Sequence, residues 1–475
     1  MRNLKINKID LLVKNAKISQ SIYEKYNQKK VDEIVNAAAW AVLKPSNNIY
    51  LSKLAVNSTG LGRTEDKFLK NRNKTIGLLR DLKNIKTVGI IKKDKKKGII
   101  EIAKPVGVIA SLTPATNPIA TPLNNILNSL KCRNSIIVSP SPAGQKVFKK
   151  MIQFINYELS KVKAPKNLIQ TFKSKVNADK TKYLMKKVDL VIVTGAQHNV
   201  RDAYSSGTPA LGVGKGNPSI IIDETANLLK TADLIKSSKT FDNGTSCSSE
   251  SNLIIMNKVY KKFLKILISK GGFLLNKTQE TKLKKKLWVK GSLNRNLVAK
   301  PPDIILKNID VNIKNQNEIR FIITQEKRIG KKFPLSGEKI SPILNLYKAK
   351  NFEGAKKILK KILTYQGIGH SVGIHTKKFN KVLELGNEMP VCRVINNQAH
   401  AFAAGGSFSN GLQFTLSLGC GTWGKNSIDV NLNYKHFLNI TKIVKPIKIK
   451  QYKLKDFFRD YCKRYDPKSL KFLID

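Results

Sequence analysis

Apolar positions recur along this chain in two rhythms, and the alternation between them sets the expected fold. In the first hundred residues the rhythm is helical. Between Val31 and Leu43, residues Ile34, Val35, Ala38, Ala41 and Val42 fall on one face, and Pro45 closes the segment. Residues 98–112 change period, and two strands are expected there around a Lys-Pro-Val-Gly turn. A helical stripe follows through Ile119, Leu123, Ile126, Leu127 and Leu130, then a β run from Ser135 to Ser139. Pro140 and Pro142 separate that run from a helix through Val147, Met151, Phe154 and Ile155. Residues 168–172 and 190–195 are further, nearly continuous apolar strands. After residue 217 the rhythm resumes: a strand at 219–223, a helix through Leu228 and Ile235, a loop ending at Cys247, and a strand at 252–256. An amphipathic helix at 352–363 has Gly367 as its C-cap. Beyond about residue 430 the chain reads as polar and irregular. Short apolar strands alternating with helices predict the α/β class, with parallel sheets covered on both faces.

Length and composition narrow the picture. A chain of 475 residues exceeds one ordinary domain, and 41% hydrophobic residues suffice for sizeable cores. The five cysteines (Cys132, Cys247, Cys392, Cys420 and Cys462) are odd in number and scattered, without a Cys-x-x-Cys pair or a His-Glu-x-x-His. Neither a disulfide framework nor a zinc site is indicated, and no metal is expected. Reduced thiols point to the cytoplasm. The first residues lack the apolar core of a signal peptide, and no stretch approaches the ~18 apolar residues of a membrane span, so a soluble protein without a membrane partner is expected.

The formal charge of +55 invites a nucleic-acid reading. Against it, the excess is lysine spread over the whole chain together with Asn and Ile, the residues of A/T-rich codons. Arginine, which recognises phosphates and bases bidentately, is scarce, and no basic stretch carries interleaved aromatics. The expectation is a solvated lysine-rich surface and no specific nucleic-acid partner. A second reading of the charge is attraction of anionic substrates and cofactors.

Candidate chemistry centres on residues 240–247, Thr-Phe-Asp-Asn-Gly-Thr-Ser-Cys. A cysteine alone is most often an inert core side chain. In a loop of small residues, however, Cys247 can offer its sulfur to a substrate, and a thiolate is the strongest side-chain nucleophile near neutral pH. About 130 residues upstream, Leu-Thr-Pro-Ala-Thr-Asn-Pro sets Asn117 in a proline-flanked turn. Attack by a thiolate creates an oxyanion, and a rigidly held amide suits its stabilisation. Other motifs fall away. Gly212-Val-Gly-Lys-Gly216 is neither G-x-G-x-x-G nor a P-loop, the Gly367-Ile-Gly-His-Ser segment is off spacing, and no G-x-S-x-G is present.

The order of segments then becomes specific. Pro105-Val-Gly-Val-Ile, Thr116-Asn-Pro118, Ser139-Pro-Ser-Pro142, 207–214 (Gly-Thr-Pro-Ala-Leu-Gly-Val-Gly), 239–247, Glu338-Lys-Ile-Ser-Pro342, Gly367-Ile-Gly-His370 and 418–424 (Leu-Gly-Cys-Gly-Thr-Trp-Gly) follow one another. In this the chain resembles the CoA-acylating branch of the aldehyde dehydrogenase superfamily over nearly its whole length. Its C-terminal stretches, Asn397-Gln-Ala-His400, Gly405-Gly-Ser-Phe408 and 433–439, look most like acylating sulfoacetaldehyde dehydrogenases. The resemblance implies an aldehyde dehydrogenase fold in three parts. Residues 1–216 would be a Rossmann-like NAD(P)-binding domain with an oligomerisation hairpin at about 98–112. Residues 217–420 would be a catalytic domain carrying Cys247, and 421–475 an oligomerisation tail, in a homodimer or homotetramer.

By the same resemblance Cys247 is the nucleophile, Asn117 an oxyanion donor with the Cys247 N–H, and His370 a histidine close to acyl transfer, or else a turn histidine satisfied by its neighbours. The cofactor would lie against Thr116, Ser139, Pro140, Pro142, Gly195, Gly212, Gly214 and Glu338, the last on the nicotinamide ribose. Two departures matter. Hydrolytic members carry a glutamate in Glu-Leu-Gly-Gly-Lys, where this chain has Gly212, so the thioester is left for CoA instead of water. They also read Lys-Pro-x-Glu where this chain has Ser139-Pro-Ser-Pro142; without that glutamate a 2′-phosphate meets no repulsion, and NADP is as well suited as NAD, with Lys146 nearby. Arg393, Gln398, His400 and Ser407 are expected to offer donors to a small anionic aldehyde such as sulfoacetaldehyde. Acetaldehyde or succinate semialdehyde as substrate, and a hydrolytic outcome, are the alternatives.

Overall fold

A computed structural model describes residues 2–312, 318–448 and 451–473, with side chains from residue 8 onward. The chain divides into two units, residues 1–87 with 105–438, and residues 88–104 with 439–475.

In the larger unit, four of the expected strands and one short partner form a five-stranded parallel sheet. Its order is Ile169–Thr171, Ser135–Pro140, Val108–Thr113, Leu190–Val193, Ala210–Gly212. Val108–Thr113 and Ser135–Pro140 are buried at every position, as strands covered on both faces must be. Chain order reverses between Val108–Thr113 and Leu190–Val193, which opens a crevice at their carboxyl ends. The turn Pro114–Ile119 leaves this crevice and enters the helix Ala120–Lys131. Its apolar stripe was legible in the sequence, but burial extends beyond it to all twelve residues. Its polar face is accommodated because Asn125 donates to Ser111 Oγ (2.9 Å), Asn124 to the Phe414 carbonyl (3.2 Å) and Asn128 to the Asn124 carbonyl (2.9 Å). Helices Gln28–Leu43, Pro45–Thr59 and Thr64–Leu82 belong to the same unit.

A second, seven-stranded sheet is also wholly parallel, in the order Gly272–Leu274, Phe321–Thr324, Ile343–Ala349, Asn252–Met256, Ser219–Ile222, Val372–His375, Val394–Asn396. Its core is built of Ile220, Ile222, Leu253, Ile255, Phe321, Ile323, Leu344 and Leu346 on one face, and Ile221, Ile254, Tyr347, Val372 and Ile374 on the other.

Two expectations are corrected. Residues 98–112 do form two strands about a turn, yet the strands do not pair with each other. Ile99–Pro105 pairs antiparallel with Gly89–Asp94 and joins Leu438–Val444 in the smaller unit's three-stranded sheet, whereas Val108–Thr113 is central to the parallel sheet. The reversal needs Gly107: its φ is +128°, and a Cβ there would lie 2.3 Å from Asp189 Oδ2. The tail is also more ordered than its polarity suggests, with the strand Leu438–Val444 and the helix Lys455–Tyr465. Both escape a burial-based reading because most of their side chains stay exposed.

Candidate functional site

The crevice at the strand ends opens into a cavity of about 630 Å³ in the larger unit. Residues from distant parts of the sequence line it: Thr116 and Asn117, Gly195, Gly214, Cys247, Glu338 and His370. A neighbouring pocket of about 370 Å³ shares Ser141, Pro142, Gly195 and Arg295 with it and adds Ser139, Pro140 and Thr181.

Cys247 sits in the loop between helix Leu228–Thr240 and strand Asn252–Met256. Asp242, Asn243 and Gly244 all have positive φ (51°, 51° and 70°), so the loop turns through three left-handed residues in succession. Asp242 locks this turn. Its carboxylate accepts from the Arg63 N–H (2.8 Å), Lys67 Nζ (3.0 Å), Lys70 Nζ (2.5 Å) and Thr245 Oγ1 (2.7 Å), while its own N–H donates to Asp66 (2.9 Å). Burial works to raise the Asp242 carboxyl, but the two ammonium groups outweigh it and hold it below the usual range. Gly216 fits the loop from the opposite side, since a Cβ there would lie 2.0 Å from the Cys247 carbonyl oxygen.

Cys247 is half-buried as a residue, and burial pushes its thiol up to about 11. The Glu338 carboxylate acts in the same direction; the Ser248 hydroxyl, the residue's own N–H and the Arg393 guanidinium oppose it. Burial likewise raises Glu338 to about 7 against the pull of Lys215, Lys239 and Lys339. His370 is driven the other way, to about 3, first by burial and then by Arg393 and His400, so its imidazole is neutral. Its Nδ1 lies 2.8 Å from Ser371 Oγ, and Nε2 has no partner among the described residues.

Asn117 accepts a hydrogen bond at Oδ1 from Lys70 Nζ (2.9 Å), and its Nδ2 has no partner among the described residues. The Thr116 carbonyl accepts from Lys67 Nζ (3.2 Å). Ser139 is buried, with Oγ 3.1 Å from Thr181 Oγ1, and Pro140 and Pro142 line the cleft beside it. Gly195 has φ +153°, and a Cβ there would find only Pro114 at 3.9 Å, so the missing side chain leaves open space in the crevice.

Other expected residues lie elsewhere. Gly212 does not line the cavity: a Cβ would meet Val200 Cγ1 at 2.6 Å, so this glycine serves helix–strand packing. Gly214 lines it, but its own constraint is Cys420, whose sulfur would lie 2.9 Å from a Cβ. Arg393, Gln398, His400 and Ser407 do not line either pocket, and each makes internal hydrogen bonds, although Arg393 Nη2 and His400 Nε2 have no partner among the described residues. Arg393 is buried and donates to Asn431 Oδ1 (2.8 Å) and to the His370 and Gly419 carbonyls (3.1 and 2.9 Å). His400 Nδ1 lies 2.8 Å from the Ser248 carbonyl, Gln398 accepts from Asn410 (3.0 Å), and Ser407 Oγ is 2.9 Å from Ser409 Oγ.

What the sequence concealed is lysine. Lys67, Lys70, Lys239 and Lys339 are buried, and the cations that line the cavity are Lys215 and Arg295. The i, i+3 spacing of Lys67 and Lys70 was the available signal, lost among many similar spacings on solvated faces. Among the described residues no group of three or more His, Cys, Asp or Glu is placed to hold a metal ion, and no helix is long and apolar enough to cross a membrane.

Comparison with known proteins identifies the family. A family model described as "Aldehyde dehydrogenase family" matches residues 2–274. The chain is 44% identical over 436 residues to a sulfoacetaldehyde dehydrogenase (acylating) of Cupriavidus necator, covering 92% of this chain and 88% of that protein. It is 37% identical to a succinate-semialdehyde dehydrogenase (acetylating) of Clostridium kluyveri, covering 91% and 94%. The crystal structure of an acetylating aldehyde dehydrogenase from Geobacillus thermoglucosidasius superposes with a TM-score of 0.90 at 34% identity, covering 95% of this chain and 99% of that one.

Proposed function

Since the chain belongs to the aldehyde dehydrogenase family, we propose that it oxidises a small aldehyde to its acyl-CoA, with NAD(P)+ as oxidant and Cys247 as nucleophile. The observation that carries this reading is the meeting of Cys247 and Asn117 in one cavity, with the Asn117 Nδ2 unpartnered. The Cys247 thiolate attacks the carbonyl carbon, the C–S bond forms, and the carbonyl electrons move onto oxygen. Asn117 Nδ2 and the Cys247 N–H donate to that oxyanion. A bound nicotinamide would supply the hydride acceptor for this adduct, and Cys247 would then hold the acyl group as a thioester. Transfer to the thiol of CoA exchanges one thioester for another and returns Cys247. Glu338 is the one carboxylate among the cavity-lining residues, and Gly212 supplies none where hydrolytic members carry their glutamate, which leaves the thioester for the CoA thiol.

The residues present fit a dinucleotide. The crevice lies at the reversal of strand order, Gly195 leaves it open, and the adjoining pocket, lined by Ser139, Ser141 and Thr181, has no carboxylate on its wall. Ser139 and its neighbours would hold the adenosine end and Glu338 the nicotinamide ribose. NADP is accommodated as readily as NAD.

For the aldehyde, sulfoacetaldehyde is the reading best supported, with succinate semialdehyde second. Both carry an anion, the two relatives above are named for them, and Lys215 and Arg295 put cations on the cavity wall. Self-association is assigned to the smaller unit, whose edge strand Leu438–Val444 exposes Ile440, Ile443 and Val444. Five free thiols suit a reducing cytoplasm. The test is formation of reduced cofactor from a panel of aldehydes with and without CoA. Turnover is expected only with CoA; sustained free acid in its absence would reject acyl transfer to CoA.

A further inference from the structure

Asn117 can act on an oxyanion only if its amide points the right way round, and an asparagine side chain has two ends of nearly equal size. Here chemistry decides the orientation. The atom of Asn117 at 2.9 Å faces Lys70 Nζ, and an ammonium has donors alone. The opposite orientation would set NH2 against NH3+ and lose the bond. Lys70 itself has no freedom to turn away, because its three N–H groups meet three acceptors: Asn117 Oδ1, Asp242 Oδ2 (2.5 Å) and Thr245 Oγ1 (3.0 Å). It is buried, and Asp242 is fixed by four donors in all.

We propose that Lys70, anchored on Asp242, is the positioning residue that presents the Asn117 Nδ2 to the oxyanion and ties that amide to the loop carrying Cys247. Lys67 extends the same tie to the neighbouring peptide, since its Nζ bonds both Asp242 and the Thr116 carbonyl. Helix Thr64–Leu82 thereby braces the two halves of the site, Asn117 and Cys247, which are 130 residues apart in sequence. This assignment rests on the reading of Asn117 as an oxyanion donor.

A double-mutant cycle on the full-length enzyme tests it, with kcat and the KM values for aldehyde and cofactor measured for Asn117→Ala, Lys70→Met and the double variant. Lys70→Met is expected to lower kcat by about 10²-fold, within the range for one lost oxyanion donor, with both KM values nearly unchanged. In the Asn117→Ala background the same substitution is expected to change kcat by less than about twofold, because the group it orients is gone. An equal fall in both backgrounds overturns the positioning role and leaves the oxyanion reading standing. An Asn117→Ala enzyme with undiminished kcat removes the oxyanion reading, and this proposal with it. Should the methionine variant not fold, Lys70→Gln carries the same cycle with the same expected and refuting outcomes.

Discussion

Gly216→Ala adds a single carbon and attacks the site through its backbone. A Cβ at this position would lie 2.0 Å from the Cys247 carbonyl oxygen, 2.9 Å from its carbonyl carbon and 3.2 Å from its Cβ. Non-bonded contacts below 3.0 Å do not occur at real Cβ atoms, so one partner must move by about 1 Å. The Gly216 side is held by Asn217, whose Nδ2 donates to the Ser336 and Gln366 carbonyls (3.0 and 3.2 Å). The displacement therefore falls on the Cys247 peptide, and with it on the sulfur and the N–H. A misplacement of about 1 Å at a reacting group lowers rates by about 10²-fold. Reduced-cofactor formation at saturating aldehyde and CoA is the assay, with a melting curve alongside. Gly386→Ala is the control, because nothing lies within 4 Å of its added carbon and it stands in the helix Phe379–Glu388. That control should keep full activity and gain about 0.5–1 kcal/mol of stability. Gly216→Ala with kcat within threefold of the parent would refute the argument that this glycine sets the height of the nucleophile.

Cys247→Ala should abolish turnover and the alkylation of the active-site thiol; labelling that instead inactivates through Cys132 or Cys420 would reassign the nucleophile. In the free enzyme the Cys247 thiol sits at about 11, so only about 10⁻³ of it is thiolate at pH 8, and alkylation should accelerate about tenfold per pH unit up to that value. Glu338→Gln removes a charge that raises the thiol, so its profile should move to lower pH; a plateau near pH 8 in the parent enzyme contradicts both statements. Lys215→Met should lower kcat/KM for sulfoacetaldehyde more than for acetaldehyde at fixed ionic strength, and an equal effect on the two would take Lys215 out of anion recognition.

The parallel architecture was legible because its central strands hold unbroken apolar runs, such as 136–138, 190–193 and 253–256, set between helical stripes. Gly272–Leu274 and Val394–Asn396 escaped because three residues carry no period, and only pairing to neighbours makes them strands. The hairpin at 98–112 was misjudged for a related reason: the pattern reveals two strands and a turn, while the choice of partner is long-range. At the site, Cys247 and Asn117 stood out because their local settings are unusual for their residue types. For Arg393 the sequence displays a donor and hides the three internal acceptors that its Nε and Nη1 meet. Lys67 and Lys70 were invisible for the opposite reason, being residues of the commonest charged type in unusual surroundings.

The interior lysines bear on how this sequence can change. Its surface charge can pass from lysine to arginine as coding bias shifts, since a solvated cation asks little of its shape. Lys67, Lys70, Lys239 and Lys339 do not share that liberty. Lys239 Nζ donates to the Glu250 carbonyl at 2.7 Å, and Lys339 Nζ to the Leu335 and Gly337 carbonyls at 2.6 and 2.8 Å. A compact tetrahedral nitrogen fills such sockets, and a planar guanidinium fork does not. In a descendant rich in arginine these four positions should still be lysine, so that the basic residues least free to vary would be those buried in the interior.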